Sequence, residues 1–535
     1  MSDLTRTPGF ASRLGAGLVV LLVVAPIVGL LIALVNPLPD PFGMPQLTFS
    51  DVVSQSNASN LLVNSVALAT LVSVIAVCLG GWLAWAEQRM RYPFRKALCV
   101  ASLLPLAIPS YVLAGTAAEA LGPGGWLGQP LGLPKFSGFW TAVLVLSVVT
   151  TPYVQLLVSA ALARGSGSEE EAARCLGAGR WRVFWAVIFP RIRAAVALSG
   201  LVVMLYAISD FGAVAVLDCE VLTWRLYQAV QAQSIAEATI LGVAVLLATL
   251  PLFVIALTLG GGDPASGVAN PRPPALWRPG RVVVGLTLLL HGLIIGMGLL
   301  LPVITMVGWI VSGWQAGFVF AGQIQPLWDT CVLAMTGAAI TGLMAFAPAW
   351  IAARDREQVA RPVTVLTLMT SALPGVLLAF GLILVALRGS SVLMGDGRLY
   401  VMLVGSGALL FVGYLIRFLA EGFASLRTAV SQLDPRQEDS ARVLGVSRLR
   451  WFGFVAMPTL GPGITVTWVL LFLAIIKELP VTLLLGSATG RTTLAFRVWD
   501  RYNEALWHDA GVAGLLLVGL ALLVLIGSLR WRRSV

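Results

Sequence analysis

The stretch Glu169 to Pro190 reads E-E-E-A-A-R-C-L-G-A-G-R-W-R-V-F-W-A-V-I-F-P, a polar and basic island in an otherwise apolar chain, and it occurs twice. The second copy, Glu438 to Pro458, reads E-D-S-A-R-V-L-G-V-S-R-L-R-W-F-G-F-V-A-M-P. Aligned on Gly177 and Gly445, the copies match at a constant offset of 268 positions, with Glu171 against Asp439, Ala173 against Ala441, Arg174 against Arg442 and Pro190 against Pro458. That offset is about half of the 535 residues, so the chain reads as one unit duplicated head to tail.

Outside the two islands the chain is oily. Its mean hydropathy is +0.90, and 58% of residues are hydrophobic against 11% charged, whereas soluble domains carry about 25% charged residues. Apolar runs near 20 residues recur, and in lipid such runs satisfy their backbone polar groups as helices. The fold class is therefore all-α: a polytopic membrane protein in which strands play no part. Apolar length places twelve helices, at about 16–36, 61–85, 97–117, 139–163, 192–217, 237–259, 282–312, 329–352, 363–387, 399–423, 460–487 and 510–528.

The net charge of +10 reads as membrane topology and not as nucleic-acid binding, because Lys and Arg are retained on the cytoplasmic side. With both termini cytoplasmic, most of the 35 Lys and Arg residues fall on that side, and the loop from Asn36 to Asn60 holds none. Arg6 and Arg13 precede a run, Leu18 to Val35, long enough to span the membrane, so the N-terminus reads as a first helix and not as a cleaved signal. The cysteines (Cys78, Cys99, Cys175, Cys219, Cys331) and two histidines (His291, His508) show no metal-ligand or redox spacing. No cofactor is called for.

Between the halves runs a Gly/Pro-rich linker, 260–281, unsuited to a helix. The expected organisation is an N-terminal segment with the first helix (1–58) and a first six-helix unit completed over 59–259, with its polar loop at 165–190. After the linker come a seventh helix and external loop (282–324), a second unit (325–528) with its loop at 431–458, and a basic tail (529–535). Upstream of the loops the repeat register is 265, seen in Trp85 against Trp350 and Pro109 against Pro374. Both units have six helices, so the repeats are parallel and a pathway between them is expected.

Each polar loop reads as a short helix pair. Asp434 with Pro435 is an N-terminal cap and Gln437 completes a capping box; Ser166 or Ser168 serves in the first copy. Gly177 and Gly445 supply a turn, or let a partner's backbone come close. Pro190 and Pro458 are expected to end the segment before the next span.

At these residues the chain resembles the permease subunits of bacterial ABC importers, whose cytoplasmic loop follows Glu-Ala-Ala, three residues, Gly, nine residues, Ile, one residue, Leu-Pro. The first copy supplies Glu171, Ala172, Ala173, Gly177, Val187, Phe189 and Pro190; the second departs further, with Asp439, Ser440, Ala441, Gly445, Val455, Met457 and Pro458. The resemblance implies the type I importer fold, and a coupling helix in each loop that docks on an ATP-binding subunit, two copies in all. It also implies a periplasmic binding protein as donor and a place in the bacterial inner membrane. No Gly-x-x-x-x-Gly-Lys-Ser/Thr phosphate loop occurs, so ATP hydrolysis is expected in the separate subunit.

A second matched pair follows the loops: Ser209-Asp210-Phe211-Gly212 and Lys477-Glu478-Leu479-Pro480, with Asp210 and Glu478 again 268 apart. Ionisable groups deep in a span are costly and mark candidate pathway residues, although acids near the outer interface or paired locally read as structural. These segments resemble the fused two-unit permeases of the ferric-iron uptake branch, with Gly486 standing where that branch usually carries arginine. The resemblance implies ferric iron as substrate, and because a hard ferric ion prefers oxygen ligands, Asp210 and Glu478 are candidates for transient metal contact, too few to form a tight site. Thiamine, phosphonate or polyamine importers share the fold and loop. A secondary transporter with parallel repeats would need coupling-ion chemistry, for which ionisable groups inside the membrane are scarce, and no motif of an intramembrane enzyme is present.

Overall fold

The computed structural model describes residues 10–36, 57–164, 167–260, 276–318, 322–355, 357–393 and 397–534. Most of the linker (261–275), most of the first loop (37–56), Ser166 and the residues before Phe10 lie outside the described residues. Among the described residues ten helices are long and apolar enough to cross a membrane. The apolar part of Phe10–Val35 and a broken pair, Arg95–Ala107 with Ser110–Leu121, supply the remaining two of the twelve expected stretches. No strand forms among these residues; a single parallel bridge joins Met90 to Trp277.

Four expected spans are broken where the sequence says why. The third bends by 98°: a 3-10 turn at Leu104–Ala107 leads into Ile108, extended at φ −93° and ψ 124°. A residue before proline is pushed out of the helical region, and here the proline is Pro109. The ninth repeats the device at Met369–Ala372, with Leu373 at φ −91° and ψ 110° before Pro374. The fifth and eleventh break at Asp210 and at Leu479, and short helices Gly212–Val216 and Pro480–Gly486 follow.

Pro190 and Pro458 do not end their segments, contrary to the sequence expectation. Each helix runs through its proline, as Trp181–Ser209 and Leu449–Ile475, with one turn of π-helix just before it, at Phe184–Ile188 and Phe452–Ala456. Proline lacks the N–H and collides with the carbonyl four residues back; widening that turn by one residue removes both conflicts. The same arrangement recurs at Gly296–Leu300 before Pro302.

Two compact units result, and neither is a sequence half. One takes the described residues within Met1–Gln46, Ala229–Val243 and Val319–Val535; the other takes those within Leu47–Gln228 and Ala244–Phe318. In the first, Val19 and Val23 of the first helix pack with Ala345, Ala349, Leu415, Leu419 and Phe423. In the second, the seventh span packs on early helices: Trp82 Nε1 donates to Thr287 Oγ1 at 3.3 Å and Trp126 Nε1 to Thr305 Oγ1 at 3.1 Å. Each unit contains a close crossing of spans. A methyl group at Gly80 would stand 2.6 Å from Thr151 O, and one at Gly422 would stand 3.2 Å from Ala345 Cβ. Small residues let membrane helices approach at backbone distance.

Candidate functional site

The polar loops fold as paired short helices, Gly167–Cys175 with Arg180–Val183 and Pro435–Val443 with Arg448–Trp451. Asp434 caps the second pair, accepting from Arg436 N at 2.9 Å. In the first pair Ser168 lies inside the opening turn. Gly177 and Gly445 have φ of +83° and +72° with open space around them, so the turn, and not close packing within the chain, demands glycine. Both close the same Schellman cap: Gly177 N donates to Arg174 O and Ala178 N to Ala173 O, while Gly445 N donates to Arg442 O and Val446 N to Ala441 O, all within 2.9–3.0 Å.

The loops hang on the spans through a motif that sequence reasoning missed. Trp85 meets Phe184 edge-on at 5.3 Å, and Trp350 meets Phe452 at 5.7 Å. In each case an arginine four residues on, Arg89 or Arg354, lies 5.9 Å from the indole centre. The repeated Trp-x-x-x-Arg was the available signal. The two arginines then diverge. Arg89 Nη2 pairs with Glu170 Oε1 at 2.7 Å, both side chains buried. Arg354 Nη2 donates to Leu433 O at 2.7 Å, and Glu438, equivalent to Glu170, pairs instead with Arg442.

Glu171, Ala172, Asp439 and Ser440 are exposed and Ala173 and Ala441 half-buried. Beside them stand apolar residues that solvent should not favour: Leu176 at 88% exposure, Trp181 at 77%, Val443 at 88% and Leu449 at 82%. Each loop thus shows an acid flanked by bare apolar side chains, the composition of a docking surface.

At the other end of each loop-bearing helix stands its acid. Asp210 and Glu478 are buried, at 9% and 8% exposure, and both cap the short helix that follows. Asp210 Oδ1 accepts from Ala213 N at 2.8 Å and Glu478 Oε1 from Val481 N at 3.2 Å. Ser110 Oγ donates to Asp210 Oδ2 at 2.5 Å. Its counterpart at the 265 register is Gly375, where a Cβ would come within 3.0 Å of Glu478 Oε1; the longer acid faces the residue with no side chain. Arg417 Nε lies 3.9 Å from Glu478 Oε2. Phe211 is buried against Tyr227, ring centres 4.5 Å apart, Gly212 opens its helix against Tyr111, Lys477 is half-buried and Pro480 is the first residue of its helix. Asp218 and Glu220, which the sequence reading passed over, line a polar cavity of about 330 Å³ with Asn57, Asn60 and Asn64. No cluster of three metal-ligating side chains occurs among the described residues.

With a duplicated polar loop, broken spans and paired acids in place, comparison with known proteins identifies the class. The chain belongs to the family described as binding-protein-dependent transport system inner membrane component, which matches residues 76–261 and 344–531. Among its relatives are the Fe(3+)-transport system permease protein FbpB 2 of Haemophilus influenzae, 25% identical over 475 residues (88% of this chain, 89% of the relative), and the ferric transport system permease protein FbpB of Actinobacillus pleuropneumoniae, 22% identical over 504 residues (87% and 70%). The sulfate transport system permease protein CysW of a Synechocystis strain is 29% identical over 223 residues, 39% of this chain and 78% of the relative. The chain is a multi-pass membrane permease.

Proposed function

We propose that this chain is the translocating subunit of an ATP-driven importer of ferric iron, taking its cargo from a periplasmic binding protein. One observation carries the substrate: the relatives aligned along most of both chains are named as ferric permeases, whereas the sulfate permease quoted above aligns over 39% of the chain. Two carboxylates at matched positions also favour a hard cation over an oxyanion.

The coupling loops then each receive one ATP-binding subunit, so two copies serve one chain, with both termini on the same, cytoplasmic side. Glu171, Ala172, Ala173 and Gly177, and Asp439, Ser440, Ala441 and Gly445, present the docking faces. The helix Trp181–Ser209 spans 29 residues, roughly 40 Å at 1.5 Å per residue, and carries a loop at one end and Asp210 at the other. A push on the loop therefore reaches the acid as rigid-body motion of one helix, with Pro190 and its π-turn inside the lever and Pro458 doing the same for Glu478. Phe211, Gly212, Lys477 and Pro480 set the break at which each lever ends. Radioactive iron uptake into vesicles holding the chain, its ATP-binding subunit and the binding protein tests this. Uptake of sulfate instead of iron, under matched conditions, would replace the ferric reading with an oxyanion one.

A further inference from the structure

Beneath the first coupling loop lies a cavity of about 700 Å³, within the range of roughly 300–1,000 Å³ typical of ligand sites. Its walls are the second span (Val77, Gly81, Trp82), Val158 of the fourth, Ile192 after the π-turn, and Trp277, which is held in place where Arg91 N donates to Trp277 O and Trp277 N to Arg89 O, each at 2.8 Å. The charged groups lining it are Arg89, Glu170 and Arg174. Arg89 is 5% exposed, and although Nη2 is paired with Glu170, its Nε and Nη1 have no acceptor. Buried donors without a partner cost about 1–3 kcal/mol each, so the site is incomplete as it stands.

The second repeat explains why the space exists. Trp451, 268 positions after Val183, is buried with Val430, Leu433, Ala456 and Leu460, while Val183 lines the cavity. A small residue in the first copy leaves open what an indole fills in the second. Arg354 Nη2 meets the backbone carbonyls of Val430 and Leu433 where Arg89 Nη2 meets Glu170 on the cavity wall.

We propose that this cavity holds one anionic phospholipid from the leaflet on the coupling-loop side, its phosphate on Arg89 Nε and Nη1 and beside Arg174, its acyl chain along the apolar wall. Arginine offers phosphate two parallel donors, and basic pockets between membrane helices near the cytoplasmic face suit anionic headgroups. A soluble anion would satisfy Arg89 but leave the apolar volume unfilled. The second span also opens towards lipid here, since Val74 is 56% exposed and Cys78, on the cavity wall, is exposed too. Because Glu170 and Val183 belong to the loop region, the lipid would brace the first coupling loop and not the second.

The test is native mass spectrometry of the full chain taken from nanodiscs of phosphatidylglycerol or of phosphatidylcholine. About one retained phosphatidylglycerol per chain, and roughly tenfold less phosphatidylcholine, is the expected result, a difference near 1.4 kcal/mol. Val183→Trp, which copies Trp451, and Gly81→Leu, which adds bulk at a wall position with no neighbour within 4 Å, should each reduce retention about tenfold. Arg174→Gln should weaken the preference for the anionic headgroup and leave the fold intact. Thermal melting identifies a variant that fails to fold, in which case the other decides. Undiminished retention in the folded variant, equal retention of both lipids, or none in the unmodified chain overturns the proposal.

Discussion

Ser110 Oγ stands 2.5 Å from Asp210 Oδ2, while at the matched place in the second repeat Gly375 leaves room for Glu478. The carboxyl is held at the start of a short helix in both copies, once by a hydroxyl against the shorter acid and once by a vacancy against the longer. Asp210→Asn and Glu478→Gln keep an oxygen for the Ala213 and Val481 N–H groups but weaken the Ser110 and Arg417 contacts to a carboxylate, so each should cost about 1–3 kcal/mol of stability. The double variant should lose most ferric uptake yet retain basal ATP hydrolysis in the assembled complex. Full uptake at matched expression would make the acids helix caps and nothing more.

Gly177 and Gly445 can be separated into a backbone and a docking role. The left-handed conformation costs a side chain about 1–2 kcal/mol, with Asn the best tolerated. Gly177→Asn and Gly445→Asn should melt close to the unmodified chain. Gly177→Leu and Gly445→Leu should still insert but lose co-purification of the ATP-binding subunit and abolish uptake; normal uptake in both would remove the docking role.

The two arginines below the indoles should not be equivalent. Arg89→Gln strands Glu170 in a buried site, a loss of about 3–5 kcal/mol. Arg354→Gln uncovers the carbonyl of Leu433, about 1–3 kcal/mol. Thermal unfolding should rank them in that order. Glu170→Gln added to Arg89→Gln should recover part of the loss in a double-mutant cycle; additive losses would mean that the ion pair contributes nothing.

Thiol labelling reports on both the loop and its partner. Cys175 is exposed on the first coupling helix. Cys219 is buried, and burial first, then Asp218 and Glu220, push its thiol up to about 12. At pH 8 roughly one Cys219 in ten thousand is thiolate, the reactive form. Iodoacetamide should therefore modify Cys175 quickly and leave Cys219 intact, and adding the ATP-binding subunit should protect Cys175. Unchanged Cys175 labelling in the complex would place the docking face elsewhere.

Much of this was legible because it is written twice. The repeated Gly177 and Gly445 announced the turn, since a glycine acts on the backbone beside it, whereas Pro109 and Pro374 mark only the repeat register and their bends go unread within helices expected to be continuous. The continuation through Pro190 was not legible: proline weakens a helical turn without deciding whether the helix stops, kinks or widens into a π-turn, and only packing selects among these. The Trp85–Phe184 and Arg89–Glu170 contacts were hidden for another reason. They join residues about 80 to 100 apart, and only the fold shows which of two similar arginines finds an acid.

The exchange of first helices between the compact units sets a clock on synthesis. Gly29 would place a methyl group 2.6 Å from Val385 Cγ2, so the first helix fits against Gly375–Leu393, which the ribosome makes far later. At about 5–20 residues per second the first helix waits in the bilayer for tens of seconds before the surface it fits has been translated. Until then it is an unassembled apolar segment exposed to quality-control proteases. The unit built from Leu47–Gln228 and Ala244–Phe318 can pack once the seventh span is made, whereas the unit that holds the first helix waits for Val319–Val535 and is the last to assemble.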